Sequence, residues 1–299
     1  MALKDQYLNA LSRDKRVLNI THFDMDGAAS SIILGNVYQN IKYKYLRYDE
    51  VDSYLEKLNF SEYDIVIMTD ISPTKAELIE DKNVFLLDHH DSALFLNCPE
   101  KNRIVRNGKS AALLVKEFFE HLFGIDLSEL NEFCKVVNDY DMWVNKDPRG
   151  WCLNELYYKY WNDGFRNRFF HGDLNFSEDE KTFILERKRK FDEVFNALEI
   201  YDLDSISGCL TFAHEFINDV CSKLLKKYKI VLCLSPKSKN CSIRVNNPDV
   251  HIGQILKEFG FGGGHAQAGG MRGNDTQVFQ QNVDFLEDVL YNRFKSMRK

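Results

Sequence analysis

Thr21-His22-Phe23-Asp24-Met25-Asp26-Gly27 is the stretch from which the rest of the chain reads outward. It follows the apolar run Val17-Leu18-Asn19-Ile20 and precedes Ala28-Ala29-Ser30-Ser31-Ile32-Ile33-Leu34. The first run reads as a buried strand and the second as a helix packed close behind it. Alternate side chains of an extended backbone share a face. His22, Asp24 and Asp26 are therefore expected to project together from the strand end, with Gly27 allowing a sharp turn. One imidazole and two carboxylates suit Mn2+, Mg2+ or Zn2+. Read blandly, Asp24 or Asp26 only caps the helix that follows.

Working outward, residues 41–48 read as a second strand and residues 51–58 as a helix. The apolar run at 64–68 ends at Thr69-Asp70, where Ser72 as N-cap and Pro73 at the first helical position predict a helix through about residue 79. The run at 84–87 ends at Asp88-His89-His90. Residues 103–106 predict one more strand, before a helix over about 111–122. Strands alternating with helices predict a parallel, doubly wound α/β sheet, whose ligand sits at the carboxyl ends of the strands. Three strands deliver acidic or His residues to that end. A helix over 127–141 adds Asp139 and Asp141, between which the sequence does not choose. Two His and four or five Asp suffice for two divalent ions about 3.5–4 Å apart that share a bridging carboxylate.

Residues 151–176 are rich in aromatics and poorly periodic, and no element is predicted there. Ser177-Glu178-Asp179-Glu180 has the form of a capping box opening a long helix to about residue 200. A second unit follows, with strands near 208–212, 230–234 and 241–245 and helices near 215–228, 252–259 and 276–294. The expected organisation is an α/β N-terminal domain over 1–176, a helical linker over 177–204 and a smaller α/β C-terminal domain over 205–299. In that last domain Gly262-Gly263-Gly264-His265 would bring backbone N–H groups to a phosphate, and Arg244 would form a bidentate pair with one.

The 299 residues carry a net charge of −6, which argues against a long duplex as the main partner. The charge is uneven: residues 221–299 hold 13 Lys and Arg against 6 Asp and Glu, and the remainder 26 against 39. An acidic first part fits cation binding and a basic last part fits a phosphate-bearing ligand. No apolar run approaches the roughly 20 residues of a membrane span. The N-terminus lacks a secretory pattern, and seven cysteines without a C-x-x-C pair suggest neither a disulfide framework nor a thiolate zinc site. A cytoplasmic protein without a membrane partner is expected.

Taken together the motifs resemble the DHH phosphoesterase family. His22-x-Asp24-x-Asp26-Gly27 is similar to its first motif, Asp70 to the second, Asp88-His89-His90 to the third and Asp141 to the fourth. Arg244 and Gly262-Gly263-Gly264-His265 resemble the DHH-associated C-terminal domain. The resemblance implies two divalent ions, commonly Mn2+. One would be held by His22, Asp24 and Asp70, the other by Asp26, Asp70, His89 and Asp141, with Asp70 bridging. His90, beside Asp88, would face the scissile phosphate, while Arg244 and His265 would grip a neighbouring phosphate from across a cleft. The segment Asp139-Tyr140-Asp141-Met142-Trp143 is similar to the nanoRNase branch. The expected activity is hydrolysis of very short single-stranded RNA to mononucleotides, with Trp143 or Phe261 as a base-stacking ring. The alternatives are a cyclic-dinucleotide or 3′,5′-bisphosphate nucleotide phosphoesterase and, from another class, a nucleotide-binding scaffold of the same fold. A homodimer is left open.

Overall fold

The computed structural model describes residues 7–272 apart from 81, 95, 97–101, 236–238, 248, 249, 261 and 265, and beyond 272 only Asp288 and Tyr291. The predicted helix over 276–294, together with Phe261 and His265, thus lies outside the described residues. The chain divides into two compact units, Met1–Ile184 and Leu185–Lys299.

The first unit is built on β1 (Val17–His22), β2 (Ile41–Leu46), β3 (Ile65–Thr69), β4 (Val84–Asp88) and β5 (Arg103–Val105). All pair in parallel, in the order β2-β1-β3-β4-β5. Side-chain alternation explains why both faces are covered. Val17, Ile65, Ile67, Phe85 and Leu87 enter one apolar cluster, while Leu18, Ile20, Val66, Met68, Val84 and Leu86 enter another. The first cluster is closed by α1 (Met25–Val37), and α2 (Val51–Lys57) covers the second. Three further helices complete the first cluster: α3 (Ala111–Phe123), α4 (Asn131–Asp141) and α5 (Pro148–Arg168). The doubly wound parallel sheet is as the sequence predicts.

Three local expectations fail. Residues 72–79 form no α-helix beyond a single 3-10 turn at Ala76–Leu78, so Ser72-Pro73 is a loop entry and not a helix start. The aromatic stretch without a predicted element is most of α5, whose periodicity is broken by a kink at Trp161 (φ 53°, ψ −177°). The expected linker is not wholly helical: α6 (Glu178–Asn196) stops early and β6 (Ile200–Leu203) follows.

The capping box is as read. The Glu180 N–H donates to Ser177 Oγ at 3.2 Å, and the Ser177 N–H donates back to Glu180 Oε2 at 2.7 Å. Glu180 is fully buried and also accepts from Arg168 Nε at 2.7 Å and Tyr160 Oη at 3.0 Å.

The second unit carries a six-stranded sheet in the order β10-β11-β9-β8-β7-β6. Its strands are β6, β7 (Gly208–Phe212), β8 (Ile230–Ser235), β9 (Asn240–Val245), β10 (Gly262–Gly264) and β11 (Ala268–Arg272). Only β7 and β8 pair in parallel. The helices α7 (Ile217–Leu224) and α8 (Ile252–Glu258) pack on opposite faces, α7 over Cys209, Val231 and Cys233, and α8 over Leu232, Leu234 and Ile243. Among the described residues six cysteines are free, and no helix is long and apolar enough to cross a membrane.

Burial opposes the Glu180 charge, but Arg168 and the Ser177 N–H outweigh it and hold the carboxyl below its usual value. A group depressed in the folded state stabilises above its unfolded pKa and loses that contribution as pH falls through its folded pKa. Glu180→Gln should therefore cost about 1.5–3 kcal/mol at neutral pH. In urea denaturation at stepped pH, the gap to the unsubstituted protein should close below the ordinary glutamate range.

Candidate metal centre

In a sheet of this strand order the switch point lies between β1 and β3, where connections leave in opposite directions and open a crevice. His22 ends β1, Asp24 and Asp26 follow at once, and Asp70 comes directly after β3. Asp70 adopts φ 60° and donates its N–H to the Leu87 carbonyl at 3.1 Å. A left-handed aspartate costs strain that persists only where its surroundings impose it. Here the chain must leave the sheet while keeping this carboxylate buried at the crevice floor, 1% exposed.

The capping reading of the first motif holds for Asp24. Asp24 is the N-cap of α1, its Oδ1 accepting from the Gly27 N–H at 2.9 Å, while its Oδ2 lies 2.6 Å from His22 Nδ1. Asp26 accepts from the N–H groups of Ala111 and Ala112 at 2.6 and 3.0 Å, so it satisfies the first turn of α3, whose N-cap is Ser110. Gly27 does not serve a turn, because it sits inside α1 without positive φ. A Cβ there would stand 2.2 Å from the His22 carbonyl oxygen, so glycine is required by the close approach of helix to strand.

His89 is where these elements converge. Its Nε2 lies 3.1 Å from Asp70 Oδ1, 3.7 Å from Asp141 Oδ2 and 3.8 Å from Asp26 Oδ2. Ligand-type atoms of His22, Asp24 and Asp70, and separately of Asp26, His89 and Asp141, lie within 4.8 Å of one another. Asp141, at the end of α4, is thus the acid that enters the cluster, whereas Asp139 accepts from the Asp147 N–H at 2.9 Å. Asp88 stands behind the others. Its Oδ1 accepts from the His89 and His90 N–H groups at 2.7 and 3.1 Å and lies 2.7 Å from His90 Nδ1.

Electrostatics says what this arrangement lacks. Burial pushes the Asp26 carboxyl up to about 7, with the Asp24 charge adding to it and the α3 N–H groups opposing it. Burial also raises Asp70 and Asp141 well above the usual carboxylate range, reinforced by neighbouring carboxylates. Buried oxygens of Asp70, Asp88 and Asp141 accept no hydrogen bond. Like charges gathered in a largely buried site with open lone pairs fit hard divalent cations, and the mixed imidazole and carboxylate donors fit the same ions. For Asp88 and His90 burial opposes both charges, yet their mutual hydrogen bond prevails, holding Asp88 low and His90 high.

Tyr48 is a contributor that the sequence did not single out. Its hydroxyl lies 2.8 Å from His90 Nε2, and its ring lies 4.3 Å from the His22 ring. A tyrosine just past an alternating strand carries no motif, so nothing in the sequence marked it.

In the second unit Arg244, on β9, donates Nη2 to Asn218 Oδ1 at 2.8 Å and Nη1 to the Ile243 carbonyl at 2.9 Å. Gly262, Gly263 and Gly264 form no loop. They are the edge strand β10, paired with Met271, Gly270 and Gly269. A Cβ on Gly262 or Gly264 would stand 2.0 or 2.2 Å from carbonyl oxygens of β11, so this pairing itself demands glycine.

With that geometry in place, comparison with known proteins is informative. The family model described as the DHHA1 domain matches residues 214–292. Over these residues the chain is similar to that domain. No curated protein matches the chain by sequence. By structure it is similar to the pGpG-specific phosphodiesterase PggH from Vibrio cholerae, at 17% identity and TM-score 0.58, covering 94% of this chain and 99% of that one. It is also similar to RecJ from Thermus thermophilus in complex with Mn2+, at 13% identity and TM-score 0.61, covering 97% of this chain and 55% of RecJ. An exopolyphosphatase-related protein from Bacteroides fragilis matches at 15% identity and TM-score 0.57, with 97% of each chain covered. At these identities the likeness speaks for the fold. The resemblance to the DHH phosphoesterases is borne out by the DHHA1 match and by the two-unit α/β fold shared with these structures.

Two measurements follow from the geometry. Gly27→Ala should lower stability by about 1–3 kcal/mol or more, as overpacking does, and thermal unfolding without added metal reads it. Asp88→Asn should weaken Mn2+ binding about 10–100-fold in calorimetry, the usual cost of losing a carboxylate that orients ligands.

Proposed function

We propose that this chain is a two-metal phosphodiesterase that degrades very short RNA to mononucleotides. The observation that carries the reading is the convergence of Asp26, Asp70 and Asp141 on His89 Nε2, beside His22 and Asp24, at the β1/β3 switch point. His22, Asp24 and Asp70 would hold one divalent ion and Asp26, Asp70, His89 and Asp141 the second, with Asp70 shared. The ions, Mn2+ by analogy with the RecJ complex, would supply an activated water and charge stabilisation at the phosphorus.

The chain's own groups account for the rest. Asp24 and Asp26 are anchored at helix N-termini, so their positions are fixed before any ligand arrives. Asp88 takes one ring nitrogen of His90 and leaves Nε2 directed at Tyr48. A substrate phosphate displacing that hydroxyl would meet an imidazole already oriented to donate a proton or stabilise charge. In the second unit, taken by itself, Arg244 would offer a guanidinium and the β10 edge backbone N–H groups to a phosphate. His265 and the glycine run keep the substrate-binding role implied by the motif.

Chain length is the point on which the similar structures help. PggH is named for pGpG, a linear dinucleotide and therefore the shortest RNA, and it is spanned almost end to end. This favours substrates of two to a few nucleotides over long strands.

Hydrolysis of a labelled series from two to about ten nucleotides, with Mn2+ and with EDTA, tests the reading. Fast, EDTA-sensitive cleavage weighted to the shortest RNAs is expected. Asp70→Ala should lower turnover by more than about 1,000-fold, because it removes the shared ligand and several kcal/mol of charge stabilisation. Near-normal turnover in Asp70→Ala would sink the shared-ligand assignment. Activity confined to cyclic dinucleotides or 3′,5′-bisphosphate nucleotides would move the substrate.

A further inference from the structure

Phe23 sits between His22 and Asp24, and its ring turns to a second aromatic group. Its centroid is 5.6 Å from Trp161, the rings tilted by 33°. Tyr157 meets both edge-on, at 6.4 Å from Phe23 and 6.1 Å from Trp161, and Tyr158 meets Trp161 edge-on at 5.8 Å. Tyr157 is buried, but Trp161 is 49% and Tyr158 47% exposed. The Arg47 guanidinium lies over the Phe23 ring at 5.5 Å.

Packing alone does not account for this group. Trp161 has φ 53° and ψ −177° in the middle of α5, a backbone region that is essentially glycine's. The kink is held by Tyr157, whose hydroxyl donates to Asn162 Oδ1 at 2.7 Å. The result of that strain is an indole brought against Phe23 with half its surface in water. A large aromatic face left open at strained backbone, one residue from the metal-binding set, is a feature that a fold selected only for stability would lose.

We infer that Trp161, with Tyr158, Phe23 and Arg47, is a stacking platform for a nucleobase of the substrate. It rests on the phosphoesterase reading only for the place of the phosphate. Three observations choose a base as occupant. Phe23 ties the platform to the chain between His22 and Asp24, and Tyr157 lies near enough for the Asp24 charge to oppose ionisation of its hydroxyl. The half-exposed rings of Trp161 and Tyr158 offer π faces, which suits stacking that tolerates any base. The Arg47 cation complements the phosphate that accompanies the base. The platform therefore sets a requirement for a base without specifying which.

The experiment compares the dinucleotide pApA with its doubly abasic analogue, by kcat/KM with Mn2+, and AMP with ribose 5-phosphate, by calorimetric Kd. Loss of a stacked base costs about 5- to 150-fold. The unsubstituted protein should prefer the base-bearing member of each pair by a factor in that range. Trp161→Ala and Tyr158→Ala should shrink the preference, and Trp161→Phe should keep most of it. Trp161→Gly suits the backbone and should unfold at higher urea than Trp161→Ala, so a lost preference in a well-folded Trp161→Gly is not a folding defect. An unchanged preference in Trp161→Ala, or no preference for AMP in the unsubstituted protein, overturns the platform. Failure to cleave either dinucleotide while the AMP preference holds overturns the phosphoesterase reading and leaves the platform standing.

Discussion

Four carboxylates drawn into one crevice, two of them buried, are the constraint around which the first unit is arranged. Asp24, Asp26, Asp70 and Asp141 reach the same crevice from β1, β3 and α4, and burial raises the last three against ionisation. A site of this kind is unfavourable taken alone, since unpaired buried charge is among the costliest features a fold can hold. Two devices reduce that cost within the protein: helix N-termini against Asp24 and Asp26, and imidazoles against Asp70 and Asp88. What remains uncompensated is the binding free energy that divalent ions would recover. Metal loading should accordingly stabilise the first unit by mass action, with an increment that grows with the logarithm of free ion.

The parallel sheet beneath the site makes that arrangement geometrically available. Because β1 and β3 are neighbours whose connections depart to opposite faces, their carboxyl ends are left clear. The apolar alternation that commits odd residues of β1 and β3 to one cluster and even residues to the other also fixes which side chains emerge at the rim. Asn19, Thr21 and Thr69 belong to the same rim. Asn19 donates to Thr69 Oγ1 at 3.0 Å, and the Thr21 and Thr69 hydroxyls lie 2.9 Å apart. This buried polar seam ties the two strands together next to His22 and Asp70, which suits a cluster that tolerates little movement.

Most of this frame was legible in the sequence because its signals are local. Alternating strand ends, the spacing of His22, Asp24 and Asp26, and the Ser177–Glu180 box each depend on a few neighbouring residues. What escaped depends on distant partners or on broken periodicity. Ser72-Pro73 carries the chemistry of a helix start, but residues 72–79 make only one 3-10 turn. The helix α5 was hidden because Trp161 interrupts its repeat, so the feature that most marks the helix also masked it. Gly27 read as a turn residue and the glycines of β10 as a phosphate-binding run, yet close backbone approach requires Gly27, Gly262 and Gly264. Tyr48 became evident only in three dimensions, and the spacing of residues alone did not separate Asp141 from Asp139, which the family resemblance did.

The double employment of Asp24 and Asp26 has an evolutionary consequence. A descendant without metal chemistry would still need both residues, since the first turns of α1 and α3 donate to their carboxylates. Their retention would thus report the fold. Asp70 and Asp141 each keep a buried oxygen without a hydrogen bond, and at φ 60° an asparagine or glycine would suit Asp70's backbone as well. Among divergent chains of this architecture, drift at these two positions is therefore the earliest mark of a member that has traded hydrolysis for another occupation.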